Sequence, residues 1–318
     1  MITMTNDIRA LIRFVCDGDI RRAQAQTQII LKNNKTQKDA AFAASMLKSL
    51  EDSQNRFIQL PANLQGILSV EDSSFFPESR YLLRGTEENL VKHVLQIREA
   101  ANRLKEMHIA FTPSLMLYGD SGTGKTMLAK YIAHRAGVPY LYVRFSGLIS
   151  SYLGKTQENL ARIFDYAKKE PCVLCIDEID TIAMRRGQHS DVGEMSRVVI
   201  SLMQEMERLP NDLIVIGTTN RFDELDEALV RRFTLNQEIR PFTRADACLL
   251  VKKFYSFAEL PMEETDAQAW LDRNFPVAAG SGASGRYNQS AIIKAATLDL
   301  VNAFVKDEQE KNGGDSQC

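Results

Sequence analysis

The sequence predicts an α/β protein: a parallel sheet flanked by helices, preceded by a small helical bundle and followed by a small all-helical unit. Three observations carry this expectation. Between Pro113 and Pro241, short runs that are apolar almost throughout alternate with stretches of helical periodicity, as strands covered on both faces do. The first of these runs ends in a glycine-rich loop that opens a helix. Up to about Arg56, and again from Thr243 onward, only helical periodicity is found.

Taken in order, Ile8, Leu11, Ile12 and Val15 form one helical stripe. Ile20, Ala23, Thr27, Ile30 and Leu31 form a second, and Ala40, Ala43, Ala44, Leu47 and Leu50 a third. Gly18 and Asp19 separate the first two; Asn33 and Asn34 separate the next two. Residues 1–56 are thus expected as a helical hairpin or bundle that docks a partner or packs on the main domain. Residues 57–85 are mixed and turn-rich, with Pro61, Gly66 and Pro77, and read as a linker. Thr86 is placed to cap a long helix with Glu87 and Glu88 in its first turn and Leu90, Val94, Ile97, Ala101 and Leu104 on its buried stripe. Residues 86–241 form the α/β unit, with strands expected in SLMLYG, PYLYVRF, CVLCID, DLIVIGTTN and LNQEI. Residues 242–306 form the helical unit, and the polar residues 307–318 read as a disordered tail.

Composition narrows the function. The chain has 318 residues, a net charge of −2 and 44% hydrophobic residues, an ordinary globular balance that argues against a large basic face for nucleic acid. No run approaches the roughly 18 apolar residues of a membrane span. Asp7, Arg9 and Arg13 interrupt the N-terminus, so it lacks a signal-peptide core. The five cysteines form no zinc-site spacing. Cys172 and Cys175 lie three apart on an expected strand, so they face opposite ways and stay reduced, which suits a cytoplasmic protein.

The loop GDSGTGKT comprises Gly119, Asp120, Ser121, Gly122, Thr123, Gly124, Lys125 and Thr126. It fits GxxxxGK[ST] between a strand and a helix, which defines a P-loop NTPase-type sheet. Its glycines let backbone N–H groups converge on phosphates at a helix N-terminus. Lys125 is expected on the β- and γ-phosphates of ATP, and the Thr126 hydroxyl on Mg²⁺. Asp177 ends an apolar strand and is expected to hold Mg²⁺, partly through water; Glu178 follows as general base for the attacking water. Asn220 ends another apolar strand, where its amide can both donate to and accept from that water.

These motifs, with IGTTNRFDELDEALVRRF and FSGLISSYLGKTQENLARIF, resemble those of AAA+ ATPases of the AAA type, the group that includes katanin and spastin. The resemblance runs from about Phe76 to Phe304. It implies a homo-oligomeric, usually hexameric ring with ATP between neighbours, and 86–241 and 242–306 as the large and lid domains. It implies that Arg231 and Arg232 at the end of ALVRRF reach the γ-phosphate in the next subunit. It also implies that Tyr152 and Leu153 line a central pore and grip a protein substrate, and that Arg286 reaches the γ-phosphate of its own subunit. Lys155 and Thr156 depart from the Glu-Ser common in the family, and katanin-type proteins usually lack the arginine at Arg286. Met184 to Val199 falls where the family carries a second pore loop; Arg185, Arg186 and His189 could line it, and Arg197 could face a neighbour.

The function implied is an ATP-hydrolysing ring that remodels, unfolds or disassembles proteins through its pore. The alternative is a nucleotide-controlled switch or scaffold that regulates a partner without threading. Near-neutral charge argues against a nucleic-acid motor, and the absence of H-E-x-x-H argues against a fused protease of that type.

Overall fold

The computed structural model describes residues 6–16, 26–27, 29–31, 44, 60–109, 111–144, 153–169, 171–183, 192–276 and 287–314. The first helix, α1 (Asn6–Cys16), carries the expected stripe: Ile8 and Leu11 are half-buried, while Ile12 and Val15 are 43% and 62% exposed. Gln26 donates to Asp7 across 3.0 Å, which ties the second helical stretch to the first. Apart from Ala44, the third expected stripe lies outside the described residues.

The stretch expected as a linker carries β1 (Leu68–Glu71), a strand of the main sheet. Its four residues, LSVE, are too short and too polar to stand out from the turn signals around them. Burial of Leu68 and pairing with a neighbouring strand decide the matter instead. Helix α2 (Gly85–Glu106) also begins earlier than expected. Thr86 is exposed inside its first turn and is not the cap; Glu87 reaches back to accept the Arg84 N–H at 2.9 Å. That is the glutamate half of a capping box, and it satisfies a donor the helix cannot.

The α/β alternation then follows as the apolar runs predict. Strand β2 (Ser114–Tyr118) leads to α3 (Lys125–Ala136), and β3 (Tyr140–Val143) to α4 (Leu153–Ala167). Strand β4 (Val173–Ile176) leads to α5 (Asp180–Ala183) and α6 (Val192–Glu207). After β5 (Ile214–Thr219) come the four-residue helix α7 (Glu227–Val230) and β6 (Leu235–Glu238). The six strands lie in the order β1-β3-β4-β5-β2-β6, parallel except for β1 against β3.

Strand periodicity sorts the core into two faces. Met116, Leu174, Ile176 and Val215 pack with α4 and α6 on one side. Leu115, Leu117, Val173, Cys175, Ile214 and Ile216 pack with α2 and α3 on the other. Cys172 and Cys175 fall on opposite faces as expected, both as free thiols. Burial pushes both thiols up, Cys175 to about 12, so neither is a nucleophile at neutral pH.

The helical unit comprises α8 (Arg244–Phe257), α9 (Glu264–Asn274) and α10 (Gln289–Gly314) around Leu250, Val251, Phe254, Trp270, Leu271 and Ile292. Thr243 and Asp246 form a complete capping box at the start of α8. Helix α10 continues through Gly314, into the stretch expected as tail. Glu, Gln and Lys are good helix formers, so the polar run DEQEK can extend a helix. The unit is tied to the sheet domain by Lys253, which donates to the Tyr81 carbonyl at 3.0 Å, and by Arg84, which donates to the Pro241 carbonyl at 3.2 Å and lies over the Phe242 ring. Among the described residues, no helix is long and apolar enough to cross a membrane.

Candidate active site

Parallel strands deliver their carboxyl ends to one edge, and here β2, β4 and β5 bring three sequence motifs to one cavity. It has a volume of about 230 Å³. The P-loop lines it with Ser121, Gly122, Gly124, Lys125 and Thr126; the end of β4 with Asp177 and Glu178; the end of β5 with Thr218, Thr219 and Asn220; and α10 with Gln289, Ser290 and Ile293.

The P-loop takes its shape from its glycines: Gly119, Gly122 and Gly124 have φ of 136°, 76° and 101°. Gly124 sits at the N-cap of α3 with no side chain capping the helix, so the first-turn N–H groups are left for a ligand at the cavity. A Cβ at Gly124 would also collide with the Gln289 side-chain oxygen. Thr123 is buried and donates to the Asp120 carbonyl at 2.9 Å, closing the loop on itself.

Lys125 is buried and folded onto the loop. Its ammonium donates to the carbonyls of Gly119 (2.8 Å) and Asp120 (2.9 Å) and to the Asn220 side-chain oxygen (2.6 Å), which matches its three protons. Burial lowers its pKa, while Asp177 and the neighbouring carboxylates oppose the shift. The P-loop lysine and the asparagine at the end of β5 therefore share one hydrogen bond across 95 residues of sequence.

Asp177 faces the Thr126 hydroxyl, which lies 3.4 and 3.3 Å from its two oxygens. This hydroxyl–carboxylate pair beside the loop is an all-oxygen donor set, the kind Mg²⁺ takes together with phosphate and water. The residues present therefore fit the cation. Glu178 has φ of 52°, a left-handed conformation rare for a non-glycine residue that costs about 1–3 kcal/mol. Its side chain is exposed at the cavity rather than buried under the strand. Asp180 opens α5 and accepts from the Thr219 hydroxyl at 2.7 Å.

Arg231 and Arg232 stand apart. Asp226 caps α7 by accepting the Ala228 N–H at 2.8 Å, and Arg231 is the C-cap. Buried Phe233 and the bond from Ser114 Oγ to the Arg232 carbonyl (3.2 Å) anchor the turn that follows. The arginine side chains remain 80% and 49% exposed, paired with Glu227 at 3.5 Å and Glu207 at 2.5 Å. Neither lines the cavity of its own chain.

Of the other expected residues, Tyr152, Arg286, Arg185, Arg186 and His189 lie outside the described residues; Leu153 is described only as the first residue of α4, and Arg197 is exposed on α6. Sequence reasoning missed Tyr142, Thr218, Thr219 and Gln289. The TT pair at the end of an apolar strand was the available signal for the two threonines; nothing marked Tyr142 or Gln289.

A parallel sheet with this loop, lysine and carboxylate edge defines a P-loop nucleotide-binding protein. Residues 115–241 match the family "ATPase family associated with various cellular activities (AAA)". Over 243 residues the chain is 29% identical to an uncharacterized AAA family ATPase, y4kL, of Sinorhizobium fredii, covering 74% of this chain and 72% of that protein. It is 34% identical over 198 residues to protein SAV of Sulfolobus acidocaldarius, covering 59% of this chain and 25% of SAV. It is 41% identical over 122 residues to the peroxisomal ATPase PEX6 of Saccharomyces cerevisiae, covering 37% of this chain and 12% of PEX6. A chain in the structure of the E. coli MS115-1 HORMA:CdnC:Trip13 complex shares the fold, with a TM-score of 0.57 at 18% identity, covering 77% of this chain and 91% of that one. Residues 115–241 are, by that match, an ATPase domain of the AAA family.

Proposed function

We propose that the chain is a subunit of a homo-oligomeric ring, hexameric by the resemblance, that uses ATP hydrolysis to remodel or disassemble protein substrates. The observation that carries this is the separation of its charges. Lys125, Glu178 and Asn220 converge on the cavity, while Arg231 and Arg232 are held on an anchored turn and left outside it. A second copy supplies a target for them: the γ-phosphate bound by its neighbour.

In this reading the P-loop N–H groups and Lys125 bind the phosphates. Thr126 and Asp177 would hold Mg²⁺, which would offset the charge of the β- and γ-phosphates. Glu178 takes the proton of the attacking water, and Asn220 orients that water after yielding Lys125 to the nucleotide. Arg231 or Arg232 of the adjoining subunit stabilises the charge that builds on the transferred phosphoryl group. From the lid, Gln289 meets the nucleotide beside Gly124, and Arg286 is assigned to the γ-phosphate of its own subunit. Tyr152 and Leu153 grip an extended polypeptide through apolar area and stacking.

Glu178→Gln should bind ATP, hydrolyse it about 10²–10⁴-fold more slowly and accumulate as the assembled ring. Mass measurement of that variant under ATP reports the stoichiometry; a monomer there contradicts the ring. Tyr152→Ala should keep basal ATPase activity and lose substrate processing, and intact processing removes the pore assignment.

A second reading, a switch that controls a docked partner, draws on α1, whose Ile12 and Val15 are exposed apolar residues. Deleting residues 1–56 should then abolish partner binding and spare ATP hydrolysis. Retained binding rejects that role.

A further inference from the structure

The two carboxylates at the end of β4 are held from both neighbouring strands. From β3, the Tyr142 hydroxyl donates to Asp177 Oδ2 at 3.1 Å. From β5, the Thr218 hydroxyl donates to Asp177 Oδ1. The same Thr218 oxygen accepts the Glu178 N–H at 3.2 Å, and the Thr218 carbonyl accepts the Ile179 N–H at 2.9 Å. One residue thus grips the backbone at and after Glu178, where the chain is left-handed, and also orients the carboxylate before it. Thr218 is 1% exposed, so its hydroxyl is held almost entirely by these protein partners. A valine would fill the same space and leave the Glu178 N–H and one Asp177 oxygen without this partner.

On the ATPase reading of the site, on which it rests, we propose that Tyr142 and Thr218 are positioning residues for hydrolysis. Thr218 fixes the turn that presents Glu178 to the cavity. Tyr142 and Thr218 together fix which edge of the Asp177 carboxylate faces the Thr126 hydroxyl and the cation. Neither touches the nucleotide chemistry directly; each acts through Asp177 or Glu178. Partners of metal-binding carboxylates typically matter by about 10–100-fold in affinity or activity.

Substitutions in the full chain separate positioning from packing. Thr218→Val keeps the shape and removes the hydroxyl; Thr218→Ser keeps the hydroxyl and removes the methyl; Tyr142→Phe removes one oxygen. Each is assayed for kcat and KM with ATP, for thermal midpoint, for labelled-ADP affinity in EDTA, and for Mn²⁺ binding to the ADP complex by electron paramagnetic resonance. Thr218→Val should lower kcat about 10–100-fold with metal-free ADP affinity unchanged, and Thr218→Ser should recover most of the loss. Tyr142→Phe should weaken Mn²⁺ binding by about tenfold at unchanged metal-free ADP affinity. If Thr218→Ser is as impaired as Thr218→Val, the residue serves packing and its positioning role is overturned. Variants that match an active wild type in both kcat and Mn²⁺ affinity overturn the roles of both residues. A wild-type chain that binds no nucleotide would instead overturn the ATPase reading and these roles with it.

Discussion

The carboxylates after β4 and the arginines after α7 are both charged ends of the same sheet domain, yet the fold treats them in opposite ways. Asp177 has hydroxyls from Thr126, Tyr142 and Thr218 around it, and Glu178 is held in a strained backbone conformation. Arg231 and Arg232 sit on an anchored backbone turn, and their exposed guanidinium groups make surface ion pairs with Glu227 and Glu207. Such pairs are worth about 0–1 kcal/mol and exchange readily. A group whose ligand binds within the chain is preorganised by the chain. On the reading proposed above, the arginines' target lies on another molecule, and their exposed side chains keep the reach to meet it.

This contrast can be broken at the arginines first. Arg231→Ala/Arg232→Ala should lower kcat by about 10³–10⁵-fold while ATP affinity in the same chain is retained, as measured by steady-state hydrolysis and labelled-nucleotide binding. Loss of nucleotide binding of the same size would place the pair in their own site.

Gln289→Glu probes the nucleotide side of the site. It sets a negative charge beside Gly124, where phosphate is expected, and should weaken ATP binding by roughly tenfold or more, with a smaller effect on fold stability. Equal affinity for wild type and variant would put the nucleotide elsewhere. Asp226→Ala, which removes only the cap of α7, is the mildest change: a cost of about 1 kcal/mol in stability and a modest fall in ATPase activity, read by thermal unfolding and initial rates.

What the sequence disclosed follows the same division between local and distant. The P-loop, Asp177 and Asn220 were legible because each sits at a fixed offset from an apolar strand, and their chemistry demands that spacing. The α/β alternation was legible because buried parallel strands are apolar on both faces. Tyr142 and Thr218 were not, because their bonds to Asp177 span 35 and 41 residues and depend on strand order. Strand β1 escaped notice for a related reason: its pairing with β3 joins segments about 70 residues apart and leaves only four residues of pattern. Thr86 misled because a good capping residue stood two places past Arg84, whose N–H Glu87 already accepts.

On the proposed reading, a complete ATPase site needs two chains: one that binds ATP through Lys125 and one that contributes Arg231 and Arg232. Mixing tests it most directly. Lys125→Ala subunits should bind no ATP, and Arg231→Ala/Arg232→Ala subunits should bind ATP without stabilising its hydrolysis next door; each alone should be nearly inactive. Titrated together at constant total concentration, they should regain ATPase activity with a maximum at intermediate ratios. A mixture that assembles and stays at the sum of the two separate rates would contradict the account.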